Sequence, residues 1–486
     1  MRFALSTIVA LLLFASPASA QQPNFVFVLT DDLATNLVQY MPNLKAMRDQ
    51  GTSFDRYLVT NSLCCPSRAS ILTGRYPHST EVITNTPPFG GFEIFHFWEE
   101  PSTFATSLQA AGYRTALMGK YLNGYTPGVV VDGAPGFVPP GWSAWAVAGN
   151  GYPNYKYNLL VKPPGDEPAR NVHYGSRPED YLTDVISRRG QDFIAGAVAD
   201  GQAFLLELAP FTPHAPYTPA PRHANAFPDL RAPRGALFNA KQRLNPPGWL
   251  PKAPLTDEQI AQIDGNFRLR AQSVLAIDEM IGAIRDQLAR LGVADNTYIV
   301  FSSDNGYHMG QRRLPAGKQT YFDHDVRVPL IVVGPGVRRG ASIMRLAANV
   351  DLRPTIQELA GVPTEPRVEG RSLVGFLRGL PPWYWRDATL IEHRATNHPA
   401  ANDPDAEPVR RNPPSYGALR FADALYVQYR NPAHAPEYYD LARDPVQRRN
   451  IYPSLSNERR AALAKKLARM RACSGGASCH EADAGP

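Results

Sequence analysis

Short apolar runs recur along the chain and alternate with segments of mixed polarity. Almost unbroken runs occupy residues 24–32 (NFVFVLTDD), 204–210 (FLLELAP), 298–306 (YIVFSSDNG) and 328–336 (VPLIVVGPG). Runs of this length are typical of central strands that are covered on both faces. We therefore predict four buried strands at these positions.

Segments with helical patterns lie between these runs. Residues 43–51 and 104–112 each end on a glycine, which commonly stops a helix. In residues 267–292 the apolar positions recur at helical spacing, namely Val274, Ile277, Ile281, Ile284 and Leu288. Strands that alternate with helices predict an α/β fold with a large, mostly parallel central sheet flanked by helices.

The pattern changes near residue 380. Beyond it lie short strand candidates such as ALYVQYR, followed by a basic helical segment at residues 457–473. We predict a large α/β domain over residues 21–380 and a smaller C-terminal α+β domain over 381–486, with short antiparallel strands and a helix. The proline-rich residues 127–164 are expected to form a long ordered insertion.

The first twenty residues have the features of a signal peptide. Arg2 precedes the apolar stretch from Ala4 to Ala15, and Ala18–Ala20 fits a small-residue cleavage site. The apolar stretch is too short to span a bilayer comfortably. We expect a secreted or periplasmic protein that is cleaved near Ala20 and has no membrane anchor.

Composition and charge add two limits. The chain has 486 residues, of which 44% are hydrophobic and 19% charged, as in ordinary globular proteins. Its formal charge of +6 is modest for this length and too diffuse to indicate nucleic-acid binding. An anionic substrate and an ordinary solvated basic surface both fit this charge.

The chain contains four cysteines, and two of them are adjacent. Because export implies an oxidising compartment, Cys473 and Cys479 are expected to form a disulfide, the alternative being two reduced thiols in a frayed tail. Cys64 and Cys65 are neighbours in sequence, so they make a poor disulfide with each other. They also lack the spaced partners of a zinc site.

Oxygen-bearing side chains follow two of the predicted strands. The first strand runs into Asp31 and Asp32, and the third runs into Asp304 and Asn305. If the two strands are neighbours, these side chains converge at the carboxyl end of the sheet, where ligands bind in such folds. Crowded carboxylates favour a hard cation, Ca²⁺ before Mg²⁺. The alternative is a helix cap at Asp32 and a simple turn after Asp304.

The segment after Cys64 has the pattern of a helix start. Pro66 is suited to a first turn, and the following residues can continue the helix to Gly74. Cys64 would then lie at a helix N-terminus, where backbone N–H groups favour an anion. Arg68, one turn later, could support that anion or hold an oxidised form of Cys64.

The stretch CCPSRASILTGR resembles the signature of the sulfatases, Cys-x-Pro-Ser-Arg followed by Leu-Thr-Gly-Arg. Cys64 fits this register and Cys65 does not. The resemblance implies an alkaline-phosphatase-like fold and the oxidation of Cys64 to formylglycine by a formylglycine-generating enzyme. It further implies that Cys65 has a structural role.

Other segments resemble further sulfatase motifs. MGKYLNGY is similar to the segment with a sulfate-binding lysine, PFTPHAPYTP to that with a catalytic histidine, and LPAGKQTYFDHD to that with a second lysine. The implied catalytic residues are Lys120, His214 and Lys318. Many sulfatases have a histidine shortly after the first lysine, whereas this chain has Tyr121-Leu122-Asn123. The resemblance also implies one metal ion, Ca²⁺ or alternatively Mg²⁺, held by Asp31, Asp32, Cys64, Asp304 and Asn305.

The run from Ser303 to Gly336 is similar to N-acetylglucosamine-6-sulfatases and to related heparan sulfatases. The resemblance implies a sulfatase that cleaves sulfate monoesters of a small molecule or glycan, for instance N-acetylglucosamine-6-sulfate. In that chemistry the hydrated aldehyde has two hydroxyl groups, and one of them attacks sulfur. The second is then deprotonated, so that the aldehyde forms again and sulfate is released. Lys318 and His214 both remain candidates for the general acid. An arylsulfatase, a phosphoester hydrolase and a non-enzymatic carbohydrate-binding relative remain as alternatives.

Three further polar residues lie near these motifs. His308 could contact the substrate or the metal, or it could make a local hydrogen bond. His324 and Asp325 follow Lys318 closely and are kept as further candidates for the site.

Overall fold

A computed structural model describes residues 22–396, 405 and 412–484. The predicted signal peptide at residues 1–20 lies outside the described residues. The division of the chain at residue 380 stays a prediction. No helix in the described part of the chain is both long and apolar enough to cross a membrane.

The strands are numbered in chain order. They are β1 (Asn24–Thr30), β2 (Thr52–Phe54), β3 (Tyr57–Leu58), β4 (Arg114–Gly119), β5 (Val130–Val131), β6 (Ala134–Pro135), β7 (Ala144–Ala148), β8 (Tyr157–Lys162), β9 (Arg170–Tyr174), β10 (Phe204–Ala209), β11 (Thr297–Ser303), β12 (His308–Met309), β13 (Ala316–Gly317), β14 (Leu330–Val333), β15 (Ala341–Ile343), β16 (Ala347–Ala348), β17 (Ala388–His393), β18 (Tyr416–Phe421), β19 (Ala424–Tyr429) and β20 (Glu437–Asp440).

Ten of these strands form one central sheet. Its order is β15-β2-β14-β11-β1-β10-β4-β7-β8-β9. The strands from β11 through β1, β10 and β4 to β7 are all parallel to their neighbours. The α/β fold with a mostly parallel central sheet is therefore confirmed.

The strand predicted at residues 328–336 is confirmed as β14, which pairs with β11 in the antiparallel direction. One sequence expectation about this sheet needs correction. Residues 127–164 are not simply an insertion, because β7 and β8 lie within them and belong to the central sheet. The segment AWAVA of β7 is buried along its whole length, which explains why it joins the sheet.

The helices cover both faces of the sheet. They are α1 (Pro42–Gln50), α2 (Cys64–Thr73), α3 (Pro77–Thr80), α4 (Gly91–Trp98), α5 (Phe104–Ala110), α6 (Leu182–Ala199), α7 (Asp257–Arg290), α8 (Asp323–Val326), α9 (Leu352–Leu359), α10 (Val374–Leu377), α11 (Asn457–Ala472) and α12 (Gly476–Asp483).

Strand β1 shows how the sheet separates two apolar cores. Phe25 and Phe27 pack into a core shared with α2, α5 and α9, whereas Val26 and Val28 pack into one shared with α1, α6 and α7. Successive side chains of a strand point to opposite faces, so an unbroken apolar run is what a sheet with two covered faces requires.

Helix α7 begins ten residues before the predicted start at Phe267. Thr256 caps it, because its Oγ1 accepts a hydrogen bond from the backbone N–H of Gln259 at 3.3 Å. Within the added turns only Ile260 and Ile263 pack against the core, so the apolar pattern there is weaker than in the rest of the helix.

A second, antiparallel sheet follows the central one in sequence. Its order is β17-β18-β19-β20, and α11 packs against it. Cys473 and Cys479 are joined by a disulfide, which confirms the expected pairing. The bond links the end of α11 to α12.

Candidate active site

The ends of β1 and β11 bring the predicted acidic residues together. The two strands are parallel neighbours, and Thr30 pairs with Ser303, so the residues that follow each strand lie side by side. The backbone N–H of Asp32 donates to Oδ1 of Asp304 at 3.1 Å, and Nδ2 of Asn305 donates to Oδ1 of Asp32 at 2.7 Å. All three side chains are buried.

Asp32 has an unusual backbone conformation. Its φ of 65° lies in the left-handed region, which side chains other than glycine seldom adopt. Arg270 of α7 stabilises this turn, because its Nη2 donates to the Asp32 carbonyl at 2.5 Å and its Nη1 to the Pro213 carbonyl at 3.1 Å. Strain of this kind is concentrated at functional sites.

Cys64 lies at the start of α2. Leu63 is extended, and the helix ends at Gly74, whose φ of 67° makes glycine the favoured residue there. The Cys64 Sγ lies 3.2 Å from Oδ1 of Asp31 and 3.0 Å from Nζ of Lys318. The cysteine of the signature therefore lies beside the acidic strand end.

The environment of Cys64 disfavours a thiolate. Burial raises the pKa of the thiol well above its usual value, and the nearby carboxylates of Asp304, Asp31 and Asp405 raise it further. The pKa of the Cys65 thiol is also raised, to about 12, by burial. Neither unmodified thiol would be ionised near neutral pH.

Arg68 supports the site from one helical turn beyond Cys64. Its Nε donates to Oδ2 of Asp304 at 2.8 Å, and its Nη1 donates to the backbone carbonyl of Lys120 at 3.0 Å. Burial opposes the guanidinium charge, but Asp304 and Asp31 outweigh it and raise the pKa of Arg68. Arg68 thus holds an acidic side chain and the Lys120 segment in place.

Two buried lysines flank the carboxylates. Nζ of Lys120 lies 2.6 Å from Oδ2 of Asp31, and Nζ of Lys318 lies 2.6 Å from Oδ1 of Asp32. Burial alone would lower the pKa of each amine, but the adjacent carboxylates raise both pKa values well above the ordinary one. Both lysines are therefore charged.

His214 completes the group of predicted catalytic residues. Its Nδ1 lies 2.8 Å from the carbonyl oxygen of Ala215, so Nδ1 must donate the hydrogen bond. Its Nε2 faces the acidic residues, 3.7 Å from Oδ2 of Asp32. Burial lowers the pKa of the imidazole, but Asp32, Asp405 and Asp31 outweigh this effect and raise it above 6.5.

Sequence reasoning missed a further carboxylate at this site. Oδ1 of Asp405 lies 2.7 Å from Nζ of Lys318 and 2.8 Å from Nε2 of His214, and Oδ2 lies 3.5 Å from the Sγ of Cys64. Nδ2 of Asn85 donates to the same Oδ2 at 2.8 Å. Asp405 follows no strand or motif that points to a site, so no local signal marks it.

Sequence reasoning also missed Asn85, Arg270 and Tyr152. Oδ1 of Asn85 accepts the backbone N–H of Cys65 at 3.0 Å, which fixes the first turn of α2. The Tyr152 ring lies 5.1 Å from Nζ of Lys120. Arg270 offered one usable signal, since it is a charged residue on the apolar, buried side of α7.

His308 makes a local hydrogen bond. Its Nδ1 lies 3.0 Å from Asp325, whose carboxylate also accepts the N–H and the hydroxyl of Thr320. Nε2 of His324 is 3.9 Å from the same carboxylate. Burial lowers the pKa of His324 to about 3, so this side chain is neutral. These residues therefore brace the segment that follows Lys318.

The donor set fits a divalent cation. Single ligand atoms from Asp31, Asp32, Cys64 and His214 all lie within 4.8 Å of one another. Oδ2 of Asp32 and Oδ1 of Asn305 are buried and have no hydrogen-bond partner in the described part of the chain. Such oxygens are costly unless a cation or water satisfies them.

Two protein-family descriptions match this chain, and together they cover residues 23–473. Residues 23–362 match the sulfatase family, and residues 316–473 match the C-terminal region of N-sulphoglucosamine sulphohydrolase.

Curated relatives are similar over nearly the whole chain. Human N-acetylglucosamine-6-sulfatase is 33% identical over 95% of this chain and 87% of its own length. An arylsulfatase of Volvox carteri is 31% identical over 93% of this chain and 74% of its own.

A solved complex with D-glucosamine-2-N,6-O-disulfate, described as the substrate of that protein, has the same fold. It matches with a TM-score of 0.76 and 23% identity, over 93% of this chain and 97% of the other. With the matched family and the curated relatives, these similarities establish that the chain belongs to the sulfatase family and is a sulfuric ester hydrolase.

Proposed function

We propose that this protein is a secreted or periplasmic, calcium-dependent sulfatase that acts through a formylglycine derived from Cys64. Its proposed substrates are sulfate monoesters of sulfated sugars, such as N-acetylglucosamine-6-sulfate. The observation that carries the proposal is the position of the Cys64 Sγ, between Oδ1 of Asp31 at 3.2 Å and Nζ of Lys318 at 3.0 Å.

The proposed calcium ligands are Asp31, Asp32, Asp304, Asn305 and the modified Cys64. The unpartnered buried oxygens of Asp32 and Asn305 support this assignment. Oxygen donors favour a hard cation, with Ca²⁺ preferred and Mg²⁺ as the alternative. A cation held there would supply positive charge that polarises the nucleophile and offsets charge on the sulfate.

The environment of Cys64 supports its modification. Its thiol pKa is raised well above the usual value, so the unmodified side chain would be a poor nucleophile. A formylglycine would supply a hydrated aldehyde, with one hydroxyl for attack and a second for release of the product. The formylglycine-generating enzyme is accordingly the proposed maturation partner.

The two buried lysines bind the sulfate in this proposal and do not serve as the general acid. Lys120 and Lys318 are buried and charged, so both can hold the sulfate oxygens and offset their charge without a proton transfer. Neither is a good proton donor near neutral pH, since their pKa values are raised.

His214 is the better general acid of the two candidates. Burial lowers its pKa, but the carboxylates of Asp32, Asp405 and Asp31 outweigh this effect and raise it above 6.5, which favours the protonated form that a general acid needs. With Nδ1 bound to the Ala215 carbonyl, Nε2 is the atom that can donate to the leaving sugar oxygen.

The disulfide between Cys473 and Cys479 supports the proposed export, since such bonds persist in oxidising compartments. It is independent of the predicted signal peptide.

The preference for glucosamine sulfates rests on the similarity to N-acetylglucosamine-6-sulfatases. If the enzyme preferred an aryl sulfate or a phosphoester to the sugar sulfate, its function would be that of an arylsulfatase or of a phosphoester hydrolase.

The test combines chemistry at Cys64 with a substrate panel. Protein co-expressed with a formylglycine-generating enzyme should carry a hydrazide-reactive carbonyl at residue 64, located by mass spectrometry, and should hydrolyse N-acetylglucosamine-6-sulfate in the presence of Ca²⁺. Cys64→Ser should lose both properties, and Cys65→Ser, the matched control, should keep the carbonyl.

Two results would contradict the proposal. Full sulfatase activity with an intact Cys64 thiol would exclude the formylglycine. Faster turnover of p-nitrophenyl sulfate or p-nitrophenyl phosphate than of the sugar sulfate would favour one of the alternative activities.

A further inference from the structure

Three arginines lie together at one end of the C-terminal sheet. His393 of β17, Tyr416 of β18 and Tyr429 of β19 pair in register, and Arg394 and Arg430 are the next residues after β17 and β19. The third, Arg471, projects from α11. We call Arg394, Arg430 and Arg471 the arginine cluster.

Backbone contacts hold the first two arginines beside each other. The Arg430 N–H donates to the Ser415 carbonyl at 2.8 Å, and the Ala395 N–H donates to the Ser415 hydroxyl at 2.9 Å. The segments that carry Arg394 and Arg430 are thus fixed on either side of Ser415.

Arg471 reaches the same end of the sheet over Gly417. A Cβ at Gly417 would lie only 3.1 Å from Cδ of Arg471, so the missing side chain makes room for the arginine. Gly417 pairs with Glu392 of β17, two residues before Arg394.

Among the described residues, the three guanidinium groups form no ion pair with a carboxylate. Burial lowers the pKa of Arg394 and of Arg471, and the charge of Arg430 lowers both further. Glu392 partly offsets this effect at Arg471, but its carboxylate is bound to His78 at 2.6 Å.

Two contacts connect the arginine cluster to segments that carry active-site residues. The Cζ of Arg394 is 3.3 Å from the ring centroid of Phe89. Phe89 lies in the same loop as Asn85, and Asn85 accepts a hydrogen bond from the first turn of α2. Tyr416 pairs with His393, the residue before Arg394. Its hydroxyl donates to the carbonyl of Gln319 at 3.2 Å. Gln319 directly follows Lys318.

We propose that the arginine cluster binds a second anionic group of the substrate, a sulfate or a carboxylate, beyond the sulfate that is cleaved. Guanidinium groups that repel one another without acidic partners are stabilised by an anion, and arginine binds sulfate and carboxylate oxygens in a bidentate manner. This subsite rests on the proposed function and makes the enzyme selective for sugars with more than one negative charge.

Kinetics on three substrates test the subsite and identify the source of the anion. N-acetylglucosamine-6-sulfate has no second anion, D-glucosamine-2-N,6-O-disulfate adds a sulfate, and a 6-sulfated disaccharide with a uronic acid adds a carboxylate. In Arg394→Ala and Arg430→Ala, kcat/KM for the disulfate or for the uronic-acid disaccharide should fall about tenfold relative to kcat/KM for N-acetylglucosamine-6-sulfate. This factor equals about 1.4 kcal/mol. The substrate that shows the fall identifies the anion that the subsite binds.

Two further variants separate recognition from folding. Arg430→Lys retains the charge and should recover part of the preference. Arg339→Ala, an exposed arginine at another surface, is the matched control and should leave the preference as in the wild type. An equal loss on all three substrates, or an unchanged preference, would overturn the proposal.

A binding measurement keeps the subsite separable from the catalytic proposal. Calorimetry on Cys64→Ser protein should show that adding Arg430→Ala weakens the binding of D-glucosamine-2-N,6-O-disulfate or of the uronic-acid disaccharide about tenfold, whether or not the wild type turns them over. Equal affinities for both ligands with and without Arg430 would refute the subsite. Failure of the wild type to hydrolyse any of the sugars would instead contradict the proposed function.

Discussion

Glu207 offers a sharp test of how burial controls charge near this site. It lies on β10, paired in parallel register between Phe27 of β1 and Leu117 of β4, and only 3% of its surface is exposed. In the described part of the chain its Oε2 has no hydrogen-bond partner. Burial raises the pKa of Glu207 to about 8, and Arg68 offsets only part of this effect.

The magnitude follows from linkage between protonation and folding. Raising the pKa from 4.5 to about 8 corresponds to about 5 kcal/mol of penalty for the ionised form in the folded state. Below pH 4.5 both states hold the proton, and the penalty is absent. Between pH 4.5 and about 8 the unfolded chain loses its proton while the folded chain keeps it, so stability falls with rising pH, by about 1.4 kcal/mol per pH unit.

The perturbation is Glu207→Gln, which has a similar shape and no charge in either state. Urea unfolding followed by tryptophan fluorescence, at pH values of about 5, 6, 7 and 8, gives the free energy of unfolding of both proteins. The advantage of the variant over the wild type should grow by about 1.4 kcal/mol per pH unit and level off near pH 8. Because the other groups are common to both proteins, their effects cancel in the difference.

Glu93→Gln is the matched control, since Glu93 is exposed on α4. Its difference from the wild type should stay within about 0.5 kcal/mol at every pH. Parallel pH profiles for Glu207→Gln and the wild type would refute the reasoning, because they would mean that Glu207 is ionised in the folded protein.

Three further predictions concern the metal, the acid and the disulfide. Ca²⁺ at about 100 times its Kd should stabilise the protein by about 2.7 kcal/mol, read as a rise in Tm, and Asp32→Asn should abolish the rise; an equal rise in both proteins would exclude Asp32 as a ligand. Activity should decline as pH rises through the His214 pKa, which is raised above 6.5, because the neutral imidazole cannot donate a proton. His214→Asn should lower kcat about 10² to 10⁴-fold and remove this alkaline limb, and an unchanged pH profile would point to another acid. Replacing Cys473 and Cys479 by serine opens a loop with a separation of 6 residues and should cost about 2 kcal/mol in urea unfolding, whereas an unchanged midpoint would show that the cross-link is dispensable.

Local patterns predicted the strands and helices that support the site. β1 and β11 were recognisable because strands covered on both faces must be apolar throughout, and α2 because a proline in its first turn and Gly74 at its end mark its limits. The start of α7 was predicted ten residues too late, since only Ile260 and Ile263 continue the apolar stripe into its first turns. The direction of β14 was unreadable, because a buried strand has the same pattern whether it pairs parallel or antiparallel.

The sequence by itself determined the α/β class, the acidic strand ends and the cysteine signature, since each depends on residues close together in the chain. Only the tertiary structure decided which distant groups meet them. Asp405 reaches Lys318, His214 and Asn85, and the arginine cluster forms from two strand ends and a helix. The physical reason is that hydrophobic burial selects the packing of the sheets and helices, whereas the polar groups brought together at their ends leave no periodic signal along the chain.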